Sequence, residues 1–318
     1  MPAGPILAVA DGGLLWAQAA GLGTAFLWSI SALCWSASGR RVGALPVTVL
    51  RLLLASAIML AVRWVWRGSP IPEAPPHAAW LLVLSGVTGM ALGDFLLFIS
   101  LVKIGPRLGM LILSLCPIVT AIIAWVFTGE SIDALGVAGI ALTVGGIVAV
   151  VSGPRPPGPW HGDRRRYLAG IGWCLLSVLC ASTGFVLTRT AMAWCKAENL
   201  PLDDFDAAAI RILSGTALCW VVVPLIGQLG QTLRACHDRK AMLIVTLGTI
   251  VGPVTGVWLC MIAFHALRAG IATALISTSP IMMIPLGYFL HRDRPGWRGL
   301  IGTAVAIVGV FLLVWRNQ

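Results

Sequence analysis

Long apolar segments alternate with short polar ones along the whole chain. A helix needs about 20 consecutive apolar residues to cross the hydrocarbon layer of a membrane. Because backbone groups in lipid must be paired within their own segment, such segments are expected to be helical. The pattern predicts an all-α integral membrane protein with ten transmembrane helices, at residues 14–38, 45–66, 78–101, 107–128, 132–151, 167–190, 206–227, 241–264, 269–290 and 297–315.

The second half of the chain repeats the first. The stretch that begins at Phe95 recurs from Trp258, 163 residues later. The same shift superimposes Ser114 on Ser277, Pro117 on Pro280, Glu130 on Asp293, Gly136 on Gly299, Gly139 on Gly302 and Gly146 on Gly309. The sequence therefore predicts a first five-helix repeat at 14–151, a linker rich in Pro, Gly and Arg at 152–166, and a second repeat at 167–316. Five is an odd number, so the two repeats are expected to be inverted, as in many secondary transporters.

Composition supports the membrane assignment. Hydrophobic residues make up 58% of the chain and charged residues only 11%, whereas about 25% is usual for a soluble domain. The net charge of +10 comes from basic residues in short loops rather than on one face, which favours membrane orientation over nucleic-acid binding. The eight cysteines show no metal-ligand spacing, and no GxxxxGKS/T motif occurs. The sequence thus predicts neither metal nor cofactor.

Three charged residues lie well inside predicted helices rather than near their ends. Arg51 lies about two turns inside the second helix, and Arg211 lies at the matching depth of the seventh. Facing lipid, each would cost at least ~2.5 kcal/mol, so each is predicted either to form a structural pair or to contact a substrate anion. Asp94, near the centre of the third helix, is predicted either to form an ion pair with Arg51 or Lys103 or to serve as a proton-coupling or substrate-amine site. Val257 at the aligned position of the second repeat favours the ion pair.

The fourth and ninth helices each contain a proline near their middle, Pro117 and Pro280. A proline leaves the carbonyl four residues earlier without its helical hydrogen bond. Ser114 and Ser277, three residues before the prolines, can bond locally and bend the helix further. Helices broken at matching places in two repeats indicate the central binding site of a transporter.

Further candidate site residues are identified by their position along the predicted helices. Trp28, near the middle of the first helix, is too deep to be an interfacial anchor and is predicted to pack or to line a cavity; Trp258 is a second candidate for the cavity or its gates. Glu130 and Asp293 precede the fifth and tenth helices, where a carboxylate suits a helix N-terminus. The glycines of these helices predict close packing within or between monomers. The loop 195–206 holds most of the remaining acids and is expected to be a solvated surface.

Basic residues are concentrated in the loops after the first, third, fifth, seventh and ninth predicted helices. By the positive-inside rule, this distribution predicts that both termini lie outside the cell.

Several motifs resemble those of EamA-type transporters of the drug/metabolite transporter superfamily: LRLLLAS around Arg51, IRILSG around Arg211, LILSLCPIVTAIIAWVFTGE, and LISTSPIMMIPLGYFLHRD. Asp293 departs from the more usual glutamate. The resemblance implies ten helices, a cavity between the repeats, and export or exchange of small metabolites such as amino acids. It also implies cytoplasmic termini, opposite to the charge distribution.

The sequence thus favours a secondary transporter of small metabolites that works by alternating access in the cytoplasmic (inner) membrane, as a monomer or homodimer. Its expected partners are a small-molecule substrate and the lipid bilayer, not nucleic acid. A flippase for lipids or lipid-linked sugars is the alternative. An intramembrane enzyme is disfavoured, because neither HExxH nor a second aspartate well inside a predicted helix provides the catalytic partner that such chemistry needs.

Overall fold

The computed structural model describes residues 11–128, 134–151, 164–266, 275–276, 278–279, 282, 286 and 297–315. These residues are nearly all helical, and no strand occurs in these ranges. The helices are α1 (Asp11–Val42), α2 (Ala44–Arg67), α3 (Pro76–Ser85), α4 (Asp94–Ile104), α5 (Pro106–Leu113), α6 (Cys116–Thr128), α7 (Ala134–Val151), α8 (Arg164–Ala197), α9 (Asp204–Leu225), α10 (Leu229–Ala235), α11 (Arg239–Thr249), α12 (Val257–Ala266) and α13 (Trp297–Trp315). The protein is an all-α, multi-pass membrane protein.

Six helical stretches within the described ranges are long and apolar enough to cross a membrane. They are Leu15–Val42, Ala44–Arg67, Pro76–Ile104, Arg164–Ala197, Asp204–Leu225 and Arg239–Ala263. Shorter apolar helices cover Leu108–Ile123, Val137–Gly146 and Leu300–Gly309. Most of the predicted ninth helix lies outside the described residues, so the count of ten stays a prediction.

The third predicted helix of each repeat contains a π-helical segment. The first segment, Gly86–Gly93, joins α3 to α4, and the second, Ile250–Gly256, joins α11 to α12. The two segments end one residue before Asp94 and Val257, the pair that the 163-residue shift aligns. π-helical turns are rare and frequently mark functional sites, and here the same irregularity occurs in both repeats.

The fourth predicted helix is divided into α5 and α6 just before Pro117. The amide of Ser114 donates to the carbonyls of Met110 and Leu111, and the amide of Leu115 donates to that of Ile112 at 3.0 Å. These tight bonds end α5, because the proline has no N–H with which to continue the regular helical ladder.

The same tight turn occurs in the second repeat. The amide of Thr278, which aligns with Leu115, donates to the carbonyl of Leu275 at 3.2 Å. Pro280 itself lies outside the described residues.

The first helix of each repeat packs against the third predicted helix of the other repeat. Helix α1 packs on α11, the second π-helical segment and α12, while α8 packs on α3, the first π-helical segment and α4. Ser56 and Thr216, each five residues after the arginine of its repeat, hydrogen-bond to each other at 2.8 Å. Equivalent positions that contact each other are expected on a two-fold axis, so this bond marks the pseudo-symmetry axis between the repeats.

The glycine-bearing helices α7 and α13 form a tight pair within one chain. A Cβ on Gly146 would lie 2.5 Å from the amide nitrogen of Ala306, and one on Gly309 would lie 2.5 Å from that of Thr143. Gly309 lies 163 residues after Gly146, and Ala306 lies 163 residues after Thr143. The two contacts are therefore equivalent when the repeats are exchanged. The hydroxyl of Thr143 also donates to the carbonyl of Ala306 at 3.2 Å. Of the two alternatives left by the sequence, the structure shows packing within the monomer.

Candidate functional site

A cavity of about 100 Å³ lies between the two repeats. Its wall is largely apolar and includes both described broken-helix regions and both π-helical segments. Six of the residues singled out from the sequence line it: Trp28, Arg51, Asp94, Ser114, Pro117 and Arg211. Of these, Arg51, Asp94 and Arg211 are the charged groups that the described part of the lining contains.

Arg51 and Asp94 form an ion pair inside the membrane. The guanidinium packs against the rings of both Trp35 and Phe98, with Cζ 4.7 Å from each ring centroid. The Arg51 side chain is 1% exposed and that of Asp94 is 24% exposed, so the carboxylate reaches the cavity while the cation is held behind it. Of the two ion pairs that the sequence proposed for Asp94, the structure contains the one with Arg51 and not the one with Lys103.

Arg211 is as deeply buried as Arg51 but has a different environment. Its Cζ lies 5.8 Å from the ring centroid of Phe185, and Nη1 lies 3.9 Å from the sulfur of Met261. Nε has no hydrogen-bond partner in the structure, and the same is true of Nε of Arg51. Among the described residues, no carboxylate lies within ion-pair distance of this guanidinium.

Trp28 both packs and lines the cavity. Its ring stacks on that of Phe185 with centroids 6.4 Å apart and an interplanar angle of 19°. A Cβ on Gly256, in the second π-helical segment, would lie 2.9 Å from the indole. The glycine therefore permits the close approach that places this aromatic wall next to Arg211.

Two serines join each repeat to the broken helix of the other. The hydroxyl of Ser29 in α1 donates to the carbonyl of Ser279 at 3.0 Å, and the hydroxyl of Ser182 in α8 donates to the carbonyl of Cys116 at 3.1 Å. Each accepting carbonyl immediately precedes a proline in the sequence. Sequence reasoning missed both serines, because a serine within an apolar helix gives no signal of its distant partner.

Ser114 acts locally at the first break. Its hydroxyl donates to the carbonyl of Leu111 at 2.6 Å, which satisfies a carbonyl at the end of α5. The remaining candidates Ser277, Pro280, Glu130 and Asp293 lie outside the described residues.

Trp258 does not line this cavity. It lies in a separate aromatic cluster, 5.8 Å from Trp66 and 6.0 Å from Phe205 between ring centroids. Beside the cluster, Arg63 binds Asp206 through two hydrogen bonds of 2.6 and 3.1 Å. The expectation that the loop 195–206 forms a solvated surface is wrong at Asp206, which is only 4% exposed.

A further ion pair lies at the other end of α2. Arg41, near the end of α1, pairs with Asp238 just before α11 at 3.0 Å. The backbone N–H of Ala241 and the guanidinium of Arg41 hold the pKa of Asp238 below its usual value. Within the described ranges, no group of three or more His, Cys, Asp or Glu side chains is placed to hold a metal ion.

Comparison with protein-family models gives a match to the EamA-like transporter family over residues 13–152 and 168–315. The chain belongs to the EamA-like transporter family. Members of this family are transporters rather than enzymes, and the two matched segments of this EamA-like transporter lie on either side of the stretch rich in Pro, Gly and Arg.

A solved structure titled "Crystal structure of protein" is similar in fold to this EamA-like transporter. The TM-score is 0.64 at 19% sequence identity, with 95% of this chain and 98% of that chain covered. A likeness at this identity establishes the fold alone. Comparison with curated proteins gave no match.

Proposed function

We propose that the cavity between the repeats is the binding site of this transporter for a small organic solute, which is exported or exchanged across the cytoplasmic membrane by alternating access. One observation carries the proposal: the cavity brings buried charges together with the broken fourth helix and the π-helical segments of both repeats. Irregular backbone at membrane depth is tolerated where it is buried in protein or lines a cavity. Such breaks typically surround the central site of a secondary transporter.

Ion pairs at the two ends of α2 are suited to act as gates. Arg63 and Asp206 join α2 to α9 at one end. Because α1 and α2 are separated only by Gly43, the end of α1 lies near the start of α2. Arg41 and Asp238 therefore join α1 to α11 at the opposite end of the molecule. In the proposed cycle, one pair opens while the other remains closed.

The symmetric serine bonds support a rigid-body mechanism. Ser29 and Ser182 tie the first helix of each repeat to the broken helix of the other. A motion of these paired elements about the axis near Ser56 and Thr216 would expose the cavity alternately to the two sides. Movement of one repeat or bundle against another around a fixed site is the usual form of alternating access.

The test compares metabolites in spent medium from cells that express equal membrane levels of wild type, Ala181→Trp or Leu179→Trp, with empty vector as the blank. Ala181 lines the cavity, so a tryptophan there is expected to fill it and abolish export. Leu179, on the same helix, is 49% exposed on the outer surface, and its substitution is expected to leave export intact.

A solute enriched by wild type and Leu179→Trp alone supports the proposal. Equal export by Ala181→Trp would show that the solute does not pass through this cavity. No difference between wild type and empty vector would refute export, and solute exchange would then be measured directly in proteoliposomes.

A further inference from the structure

The two buried arginines are equivalent by sequence but unequal in their partners. In the first repeat, the guanidinium of Arg51 contacts two residues of α4 that are one helical turn apart. These are Asp94, through the ion pair, and Phe98, through the ring face at 4.7 Å.

In the second repeat, Arg211 contacts α12 in the same way. Its Nη1 lies 3.9 Å from the sulfur of Met261, and Met261 is the residue 163 positions after Phe98. The residue 163 positions after Asp94 is Val257, which is buried one turn before Met261. Arg211 therefore occupies the place of a paired arginine, with an apolar side chain where its partner would be.

This difference between the repeats leaves the cavity with a net positive charge. Among the described lining residues, two guanidinium groups and one carboxylate give a net charge of +1. Asp94 is already engaged by Arg51, while Arg211 is 2% exposed and has no carboxylate of the described residues within ion-pair distance. A buried charge without a partner is strongly unfavourable, so an anion in the cavity would complete the site.

The surroundings of Arg211 suit an anion attached to an apolar body. A guanidinium presents a planar set of donors that fits a carboxylate through two parallel hydrogen bonds. Phe185 lies against the guanidinium and stacks on Trp28, so a flat apolar group would meet an aromatic wall. A cationic solute would find no free carboxylate among the described lining residues.

We propose that Arg211 binds the anionic group of the transported solute, and that the solute is a small organic monoanion with an apolar or aromatic body. This inference rests on the proposed function, which it makes more specific. A single negative charge balances the cavity, whereas a dianion would leave one charge without a partner. The presence of Val257, rather than a carboxylate, at the position that aligns with Asp94 is thus the feature that sets the charge of the cargo.

The first test uses three probes of the same shape and different charge. The full chain is placed in phosphatidylcholine nanodiscs at pH 7, which excludes anionic lipid headgroups. Equilibrium binding of radiolabelled benzoate is then measured, with unlabelled benzoate, benzamide and benzamidinium as competitors. Benzoate is expected to compete at least about tenfold better than either, a difference equivalent to about 1.4 kcal/mol.

The second test supplies the missing carboxylate. Val257→Asp is expected to pair with Arg211, raise the melting temperature and weaken benzoate binding by about tenfold or more relative to Val257→Asn, again about 1.4 kcal/mol. The asparagine has nearly the same size and no charge, so the comparison isolates charge from polarity. If Val257→Asp does not fold, the three probes still decide the matter on the wild-type protein.

Equal competition by benzamide, stronger competition by benzamidinium, or equal benzoate affinity of the two Val257 variants would overturn the anion site. The binding assay requires no transport, so its failure is distinct from failure of the proposed function. Benzoate binding without any export would preserve the anion site and refute export. Export of a cationic solute without benzoate binding would preserve the transport cavity and refute the anion site.

Discussion

The ion pair inside the cavity leads to a quantitative prediction about stability. Replacing Asp94 by Asn leaves the guanidinium of Arg51, 1% exposed, without its carboxylate. Removing one partner of a buried ion pair costs about 3–5 kcal/mol. Because the rings of Trp35 and Phe98 remain 4.7 Å from the cation, we expect a loss near the lower limit, about 3 kcal/mol. At about 2 °C per kcal/mol for a chain of this size, the apparent melting temperature should fall by about 6 °C.

The opposite substitution should cost less. Arg51→Met leaves Asp94 without its partner instead. That carboxylate is 24% exposed toward the cavity and can be hydrated there, so we expect a loss of stability of about 2 kcal/mol. In the double variant neither member of the pair is left as an unpartnered charge. Its loss of stability should also be about 2 kcal/mol rather than the additive value of about 5 kcal/mol. The expected coupling energy is therefore about 3 kcal/mol, at the upper end for residues in contact.

The assay follows the fraction of detergent-solubilised, fluorescently tagged protein that elutes as a single species after heating. The exposed pair of Arg67 and Asp203, with side chains 56% and 38% exposed, provides the control. Exposed pairs contribute about 1 kcal/mol or less, so Arg67→Met should shift the transition by no more than about 2 °C. Additive losses in the double variant, or a shift for Asp94→Asn no larger than that of the control, would show that the buried pair does not stabilise the fold.

Three further predictions concern other parts of the molecule. Gly146→Ala should lower stability by about 1–3 kcal/mol through overpacking between α7 and α13. Gly145→Ala, with nothing within 4 Å of the added Cβ, should not. Equal melting temperatures of the two variants would refute this packing. Arg63→Met leaves the buried carboxylate of Asp206 without its partner and should lower stability by about 3–5 kcal/mol. A melting temperature equal to that of wild type would refute a structural role for this pair. The charge distribution predicts that Cys236, exposed between α10 and α11, faces the cytoplasm; in a variant that retains only this cysteine, labelling of intact cells by a membrane-impermeant maleimide would instead support cytoplasmic termini.

Much of the architecture could be predicted from the sequence because it depends on local chemistry. Segment length and apolarity predict membrane helices, and a proline inside such a segment necessarily removes a helical hydrogen bond. Matching depth identified Arg51 and Arg211 as equivalents in the two repeats, and the shift of 163 residues identified Pro117 as part of the duplicated unit before any contact was known. It also placed Val257 opposite Asp94.

Only the tertiary structure decided which of these residues meet. It paired Asp94 with Arg51, left Arg211 without a carboxylate among the described residues, and placed Trp258 away from the cavity. It also revealed the bond from Ser29 to a carbonyl 250 residues away. In a soluble helix, the boundary between polar and apolar residues indicates the buried face. In a membrane, lipid tails are as apolar as the protein interior, so the sequence shows where a helix crosses but not which of its faces points toward the site.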